Sequence, residues 1–440
     1  MNVEQIKKII DNDRSRRELI LKHKKYYDNE NEIINTGVNP NADDKDPLRN
    51  ADNRISHNFH QLLVDEKASY MFTYPVLFDL DNNIELNNKV TTVLGDEFES
   101  ISKDLCIEAS NCSNAFIHYW IDEDENNKFE YALVKTEQVI PLYSNTLKRK
   151  LIGVYRYYES EIEGVPVIIF EHWTNKEFNK YTLKGTLSSS SHSMYLPVEN
   201  VIHELEVVPF IEFRNNNRNQ SDLSKYKSLI DLYDKVMSGY ANDLEDIQQI
   251  IYILENYGGE DLKEFLGDLK RFKAIKTESD GAGSSGGVKT LQIEIPVEAR
   301  NKILEIVKKQ IYESGQGLQQ DTESFGNASG VALKFFYRKL ELKAGLTETE
   351  FKKGFNQLIR AILRHLNLDV DVSIQQTYTR NIISNDLENA QIAQNSSGII
   401  PRKLILKNHP WVDDPEAAEM LEEEEGEKDP YDDIKVDDNE

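Results

Sequence analysis

The glycine-rich stretch from Gly281 to Gly287 comes closer than other parts of the sequence to a catalytic motif. It satisfies the dinucleotide-binding pattern G-x-G-x-x-G, and Gly283 to Gly287 also satisfies the nucleophile pattern G-x-S-x-G. Both chemistries need a helix directly after the glycines, because its N-terminus binds the phosphate or helps form the oxyanion hole. The residues that follow, Val288 to Ile293, alternate as a strand does. We therefore interpret the stretch as a flexible hairpin tip.

Histidines and a serine–lysine pair are the other candidates for chemistry. His57 and His60 lie one helical turn apart and could share a metal, but no cysteine or carboxylate cluster completes the coordination. His203-Glu204 lacks the second histidine of a zinc protease helix, and Ser100 to Lys103 matches S-x-x-K in a sequence rich in both residue types. No P-loop is present. We predict no catalytic residue, no metal site and no cofactor.

A basic neighbourhood flanks a polar segment near residue 320. Its members are Lys302, Lys308 and Lys309 before the segment, and Lys334, Arg338, Lys339 and Lys343 after it. One interpretation is a solvated helix face that Glu305, Glu313 and Glu341 neutralise. The other is that some of these cations face a passing polyanion or pair with acidic residues of a neighbouring subunit. The sequence leaves both open.

Composition limits the function classes. The 440 residues carry a formal charge of −25, which repels phosphate and disfavours a tight DNA-binding protein. The two cysteines, Cys106 and Cys112, form neither a disulfide framework nor a zinc pattern. No signal peptide or membrane span is predicted, so we expect a reducing, aqueous compartment. The length suggests two to four structural regions.

Apolar periodicity predicts the elements that would position these residues. Helices are expected at 3–27, 59–70, 87–110, 221–257, 297–312, 329–345, 385–393 and 401–408, and strands within 115–215 and at 272–277, 288–295 and 370–379. The helix over 221–257 would span roughly 50 Å, which suggests a strut. A capping box, Thr347 to Glu350, predicts a break near Gly345 between two helices.

The polar segment from Gly315 to Asn327 separates two of these helices. It has several glycines and few apolar residues, so it is not expected to pack as core. We interpret it as a loop that lines a space or forms a contact surface.

The amino-acid sequence of this segment and of several others resembles that of the portal proteins of tailed bacteriophages with long non-contractile tails. The shared phrases are Ala328-Ser329-Gly330 with Val331 to Phe336, Asn53 to Ile55, Asn58-Phe59, Lys67 to Pro75, Gln138 to Tyr143, Val208 to Ile211, Asn215-Asn216, Leu229 to Asp231, and His409 to Trp411. The order in which these short motifs occur over residues 50–415 is more specific to the family than any one motif. Tyr74 departs from the glycine that the family often has before its proline.

The resemblance implies an α+β portal fold with long stem helices, a mixed α/β wing, a small α/β clip and a helical crown. The expected parts are 1–231 (N-terminal part and wing), 232–257 (stem helix), 258–296 (clip), 297–314 (returning stem helix), 315–328 (tunnel loop), 329–383 (kinked helix and wing), 384–425 (crown) and 426–440 (acidic tail, expected to be disordered).

The resemblance also implies a structural role in the virion. Family members form a homo-oligomeric ring, typically of twelve copies, at one capsid vertex, and double-stranded DNA passes through it during packaging and ejection. The implied partners are the terminase large subunit, a head-completion adaptor, and scaffolding and major capsid proteins, with no membrane. The tunnel loop would present Gln316, Gln319, Gln320 and Asn327 to DNA, with Lys302, Lys308, Lys309 and Lys334 as further channel or intersubunit residues.

Twelve copies would carry a formal charge of −300, so an acidic conduit would keep its contacts with DNA short-lived. Two other functions stay open at the level of sequence. One is another structural virion component, such as a minor head protein. The other is a hydrolase that uses the 115–215 β region.

Overall fold

The computed structural model describes a large part of the chain. The described residues are 1–36, 51–124, 127–189, 191–203, 205–246, 251–255, 287–291, 296–318, 330–380, 386–397 and 399–400. Within them the fold combines long helices with antiparallel sheets, so the α+β prediction is confirmed.

The helices are α1 (Val3–Tyr27), α2 (Ile33–Thr36), α3 (Phe59–Met71), α4 (Ile84–Leu94), α5 (Phe98–Cys112), α6 (Lys227–Asp246), α7 (Val297–Gly315), α8 (Gly330–His365) and α9 (Asp386–Ser396). α1 begins with a capping box, in which Gln5 N donates to Asn2 Oδ1 and Asn2 N donates to Gln5 Oε1. Its buried face carries Ile6 and Ile20.

The strands are β1 (Leu77–Leu80), β2 (Asn114–Asp122), β3 (Lys128–Val134), β4 (Val139–Tyr143), β5 (Leu151–Ile162), β6 (Val165–Trp173), β7 (Glu177–Lys184), β8 (Ser193–Met194), β9 (Glu199–Ile202), β10 (Phe210–Arg214), β11 (Ile251–Glu255), β12 (Gly287–Leu291) and β13 (Ile374–Thr377). The largest sheet has the order β4-β5-β6-β7-β8, with β9 also paired to β7. A second has the order β10-β2-β3, and two further pairs are β1-β13 and β11-β12. All are antiparallel, which confirms the predicted β region at 115–215.

The main core is formed by residues of α3, α4, α5 and α8 together with residues of the β10-β2-β3 sheet. Its centre is aromatic: the ring of Phe213 on β10 lies 5.0 Å from that of Phe355 and 5.3 Å from that of Phe351. Gly354 of α8 makes this close approach possible, because a Cβ there would lie 2.5 Å from Phe213 Cε1.

A second core joins α1, α3, α6 and α7. Tyr26, Leu63, Ile230 and Ile311 are buried in it. α6 and α7 pack against each other, and Arg300 of α7 pairs with Asp243 of α6. This core fixes the position of the C-terminal end of α7, where the polar segment begins.

The structure corrects the predicted helix at 221–257. α6 covers only Lys227–Asp246, and Ile251–Glu255 forms β11, which pairs with β12. The run Ile-Tyr-Ile-Leu is β-branched and aromatic, so it suits a strand once a partner is available. The partner, Gly287–Leu291, matches the start of the strand predicted at 288–295.

The predicted break in the long C-terminal helix is also wrong. α8 runs without interruption from Gly330 to His365, through Gly345 and the expected capping box. Thr347 Oγ1 does not cap a new helix; it donates to Asn215 O at 3.1 Å. Because Leu340, Ala344 and Phe351 share one buried face, burial outweighs the roughly 1 kcal/mol that a glycine costs within a helix.

Two smaller differences concern boundaries. The helix predicted at 87–110 is two helices, α4 and α5, because Gly95 adopts φ +68° and ends α4. The strand predicted at 370–379 is shorter and is β13, paired with β1.

Candidate functional site

The polar segment that follows α7 begins in a tightly packed corner. Gly317 N donates to Tyr312 O at 3.0 Å and Gln316 adopts φ +56°, which ends α7 in a left-handed turn. Gly315 and Gly317 both lie against Leu63 of α3, and a Cβ on Gly315 would lie 2.5 Å from Leu63 Cδ1. The glycines therefore serve close packing at the start of the segment.

Two charged side chains hold the backbone at this point. Leu318 N donates to both carboxylate oxygens of Glu66 at 3.1 Å, and burial raises the pKa of Glu66. Lys343 Nζ of α8 donates to Gly315 O at 2.9 Å. The start of the segment is thus fixed to α3 and to α8.

Lys343 is part of a buried ionic cluster that also contains Lys67, Asp222 and Asn215. Asp222 Oδ2 lies 2.8 Å from Lys67 Nζ and 3.1 Å from Lys343 Nζ. Lys67 Nζ also donates to Asn215 Oδ1 at 2.7 Å, and Asn215 Nδ2 donates to Asp222 Oδ1 at 2.9 Å. The cluster ties α3, the 215–222 loop and α8 to the start of the polar segment.

The two lysines share one carboxylate in a site that water does not reach: Lys67, Lys343 and Asp222 are 0%, 3% and 2% exposed. Burial raises the pKa of Asp222, but Lys343 and Lys67 outweigh it and hold that pKa well below its usual range. Burial lowers the pKa of Lys343, and Asp222 opposes the change. The carboxylate of Asp222 is therefore ionised across the neutral pH range.

The structure places only some of the residues that the sequence nominated for this segment. Gln316 lies half-buried in the turn after α7, and Lys302, Lys308 and Lys309 are exposed along α7, where Lys302 Nζ lies 3.3 Å from Glu305. Lys334 lies in the early turns of α8. Gln319, Gln320 and Asn327 lie outside the described residues. The predicted sites are not shown to meet in one place.

Sequence reasoning missed Glu66, Lys67 and Asp222. One signal was available: Lys67 occupies the apolar face of α3, four residues from Leu63 and four from Met71, where a lysine must be paired. Asp222 gave no comparable signal, because it lies in a loop.

The histidines have structural partners. His57 Nδ1 lies 2.8 Å from Asp234 Oδ1, and His60 Nδ1 lies 2.8 Å from the Tyr226 hydroxyl. Burial lowers the pKa of His60 to about 3, so its imidazole is neutral. His203 Nε2 lies 3.1 Å from Thr174 O. Within the described ranges, no group of three potential ligands is placed to hold a metal ion.

In the 115–215 region, His118 lies between the rings of Trp173 and Phe210, with Nδ1 2.8 Å from Pro209 O. Burial lowers its pKa to about 4. Cys106 and Cys112 are buried free thiols, and burial raises the pKa of each.

The structure also describes parts of the two remaining matches to catalytic patterns, the S-x-x-K match and the glycine-rich stretch. Lys103 pairs with Glu99, and Ser100 Oγ donates to Glu97 O. Of the glycine-rich stretch, Gly287 is described, and it begins β12 rather than a helix. Residues 281–286 lie outside the described part. None of the helices that the structure describes has the length and apolar composition that a membrane span requires.

A family model described as phage portal protein, SPP1 Gp6-like, matches residues 6–430. The chain belongs to this portal family. It is 60% identical over 437 residues to the portal protein of Clostridium phage phiCD119, covering 97% of this chain and 96% of that protein. It is 31% identical over 405 residues to the portal protein of Bacillus phage SPP1, covering 85% and 76%.

Two solved structures each match about four-fifths of the portal-family chain. The neck of an empty GTA particle, computed with C6 symmetry, has a TM-score of 0.44 at 11% identity and covers 80% of this chain and 89% of its own. The neck of a native GTA particle, computed with C12 symmetry, has a TM-score of 0.44 at 9% identity and covers 79% and 87%. The family assignment depends on the sequence matches, and it makes the chain a structural component of a phage particle.

Proposed function

We propose that this portal protein assembles into a ring, of about twelve copies, at one capsid vertex and that double-stranded DNA passes through the ring during packaging and ejection. The terminase large subunit and later a head-completion adaptor dock on the ring, and scaffolding and major capsid proteins contact its periphery. The chain itself guides DNA and carries out no chemistry. Family membership supports this proposal.

The observation that best supports the ring is a set of exposed apolar side chains on α7 and α8, which flank the polar segment, and on α6, which packs against α7. They are Leu232 and Leu244 of α6, Val297, Ile303 and Ile306 of α7, and Leu342 and Leu346 of α8, each between 40% and 63% exposed. Burial of apolar area contributes about 25 cal/mol per Å². Exposed apolar side chains of this kind, repeated on every copy, favour contact between neighbouring subunits.

We propose a division of the subunit into parts on the basis of its membership of the portal family. We assign the stem to 232–257 and 297–314, with α6 and α7 as its packed helices and β11 at the far end of the first leg. The clip is 258–296, the tunnel loop 315–328, and the crown 384–425; the wing comprises the remaining N-terminal part and 329–383. The sequence of 426–440 extends beyond the crown as an acidic tail.

The tunnel loop is the proposed DNA-facing element. Its start is fixed by Glu66 and Lys343, so a loop leaving this point has a defined origin. Neutral polar residues at Gln316, Gln319, Gln320 and Asn327 would contact phosphates without the Coulombic attraction that holds DNA in place. Lys302, Lys308, Lys309 and Lys334 would serve as channel or intersubunit residues.

The test is to measure ring formation by variants in which apolar residues of the stem are replaced by glutamate. We expect the wild-type protein to form rings in native mass spectrometry and negative-stain electron microscopy, and Ile303→Glu/Ile306→Glu to leave folded monomers, because two carboxylates would be buried without partners. Ile152→Glu/Ile202→Glu is the matched control, since both residues are exposed on the β5 and β9 strands. Circular dichroism checks that each variant folds.

Rings that persist in the stem variant, or a wild-type protein that stays monomeric, would contradict the proposal. Rings would also separate a portal from a minor head protein, and robust ATP hydrolysis by the purified protein alone would contradict a passive conduit.

A further inference from the structure

The surface of the protein contains a basic cleft of about 650 Å³. It is bounded by the β4–β5 turn, by β10 and by α8. Six of its lining residues are cationic (Lys148, Arg149, Lys150, Arg214, Lys353 and Arg364) and two are acidic (Glu212 and Glu350). In a chain with a formal charge of −25, a concave surface with this excess of cations concentrates positive potential.

The cationic side chains of this cleft differ in whether a partner within the chain already contacts them. Arg214 pairs with Glu212 at 2.9 Å, and Lys353 pairs with Glu350 at 2.7 Å. The Arg149 guanidinium lies 4.7 Å from the centre of the Tyr143 ring. These contacts hold the cleft in shape.

Lys148 and Lys150 are the charges left for a ligand. Both are exposed in the β4–β5 turn, and no carboxylate in the described part of the chain pairs with them. Arg364, across the cleft on α8, is exposed as well and contacts Tyr119. The three side chains thus present positive charge from two sides of the cleft.

The cleft is not only basic. Leu147, at the tip of the turn, is fully exposed, and Val207, Phe210 and Ile211 contribute to the lining. A ligand that matches both features is acidic and carries a few apolar side chains. Duplex DNA fits less well, since it offers no apolar side chains to contact Leu147 and the other apolar residues of the lining.

The sequence contains such a segment. Residues 413–440 hold 15 acidic and two basic side chains, a formal charge of −13 against −25 for the whole chain. Within them Met420 and Leu421 stand between glutamates, in the order Glu416 to Glu425. The 13 residues from Ile400 to Asp413 can span up to roughly 45 Å. A tethered segment also reaches an effective concentration on the order of millimolar.

We propose that the basic cleft binds the acidic segment 413–425 of the protein itself, with Lys148, Lys150 and Arg364 contacting its glutamates and Leu147 contacting Met420 and Leu421. The interaction would neutralise part of the most acidic stretch of the chain and occupy a surface that otherwise attracts polyanions.

The test is carbodiimide cross-linking of the full-length protein, which joins a lysine to a carboxylate in direct contact. We expect mass spectrometry to find cross-links from Lys148 or Lys150 to Glu416, Glu419 or Glu422–Glu425. These should fall at least about fivefold at high salt, when the Debye length shrinks from roughly 10 Å to roughly 3 Å. An excess of a synthetic peptide with the sequence of residues 413–425 should also reduce them.

The variant Leu147→Glu/Arg364→Glu keeps both reactive lysines and should reduce the same cross-links about fivefold or more. Lys176→Glu/Lys184→Glu is the matched control, because it makes a comparable change of charge at exposed sites of the β region outside the cleft, and it should leave them unchanged. Thermal melts check that both variants fold.

Two results would overturn the proposal. One is that segment 413–425 cross-links to lysines outside the cleft, or to none. The other is that a fluorescent 20-base-pair DNA duplex binds the wild-type protein, loses its binding in Leu147→Glu/Arg364→Glu but not in the control, and is not displaced by the peptide; that result would assign the cleft to nucleic acid.

Discussion

At the scale of single residues, Asp222 is the counter-charge for two buried lysines. Lys67 and Lys343 each lie within about 3 Å of the same carboxylate oxygen, and the cluster joins three separate parts of the chain. A buried cation that loses its partner destabilises a protein more strongly than an intact pair stabilises it. The start of the polar segment therefore depends on one carboxylate.

Asp222→Asn should lower the free energy of unfolding by about 3–5 kcal/mol, because it leaves two buried ammonium groups without an anion. Urea denaturation followed by circular dichroism measures the change. Glu305→Gln on α7 is the control, since its partner Lys302 and Glu305 itself are largely exposed, and it should change the value by less than about 1 kcal/mol.

Addition of Lys67→Met to Asp222→Asn removes one of the uncompensated charges and should recover part of the loss. If Asp222→Asn costs no more than the surface control, Asp222 is not the counter-charge of the cluster.

The sequence predicted little of this cluster. Lys343 was grouped with the exposed lysines near the polar segment, whereas α8 turns it inward to Asp222 and Gly315 O. Charge alone does not distinguish a solvated lysine from a buried one. That distinction depends on contacts between residues more than a hundred positions apart, which no local pattern reports.

At the scale of elements, Gly345 and Gly354 of α8 have opposite surroundings. Gly354 lies against the Phe213 ring, and an added Cβ would be 2.5 to 2.9 Å from three of its atoms. Gly345 has no heavy atom within 4 Å of the position where a Cβ would stand. The same substitution in one helix should therefore have opposite effects.

Gly354→Ala should lower the free energy of unfolding by about 1–3 kcal/mol through overpacking of the core. Gly345→Ala should raise it by about 0.5–1 kcal/mol, because alanine has the higher helix propensity. Thermal or urea denaturation of both variants measures the difference. A stabilising Gly354→Ala would show that Phe213 can move and that the α8–β10 contact is loose.

The sequence predicted an element correctly where apolar residues repeat over several turns, because that pattern depends only on neighbouring residues. α1, α3 and α7 were found within a few residues of their ends, because their apolar faces repeat over several turns. The run Ile251 to Leu254 was misassigned because consecutive apolar residues fit a helix or a strand, and the partner strand begins 32 residues after Glu255, where β11 ends. Gly345 was interpreted as a helix end because glycine has a low helix propensity. The helix nevertheless continues through it, because residues before and after it, such as Ala344 and Phe351, are buried in the core.

At the scale of the whole molecule, charge opposes association. Each copy carries −25, so copies that approach one another repel beyond the range of their apolar contacts. Salt screens this repulsion, and the Debye length falls from about 10 Å at 0.1 M to about 3 Å at 1 M.

Raising the salt concentration should therefore increase the fraction of protein in rings at a fixed subunit concentration, and mass photometry can measure that fraction. Ile303→Glu/Ile306→Glu should stay monomeric throughout, because salt does not restore its lost apolar contacts. If rings dissociate as salt increases, pairs of opposite charge between subunits, and not apolar contacts, dominate the interface.

The pairing of β1 with β13 joins Leu77–Leu80 to Ile374–Thr377, almost 300 residues apart. A ribosome that adds about 5–20 residues per second needs roughly 15–60 s to make the intervening chain. During that time the edge of β1 has no partner, and the α8 helix that covers Phe213 and Phe98 is made only towards the end of the interval. A nascent or prematurely terminated chain consequently lacks a closed main core, which confines assembly to polypeptides whose synthesis is nearly finished.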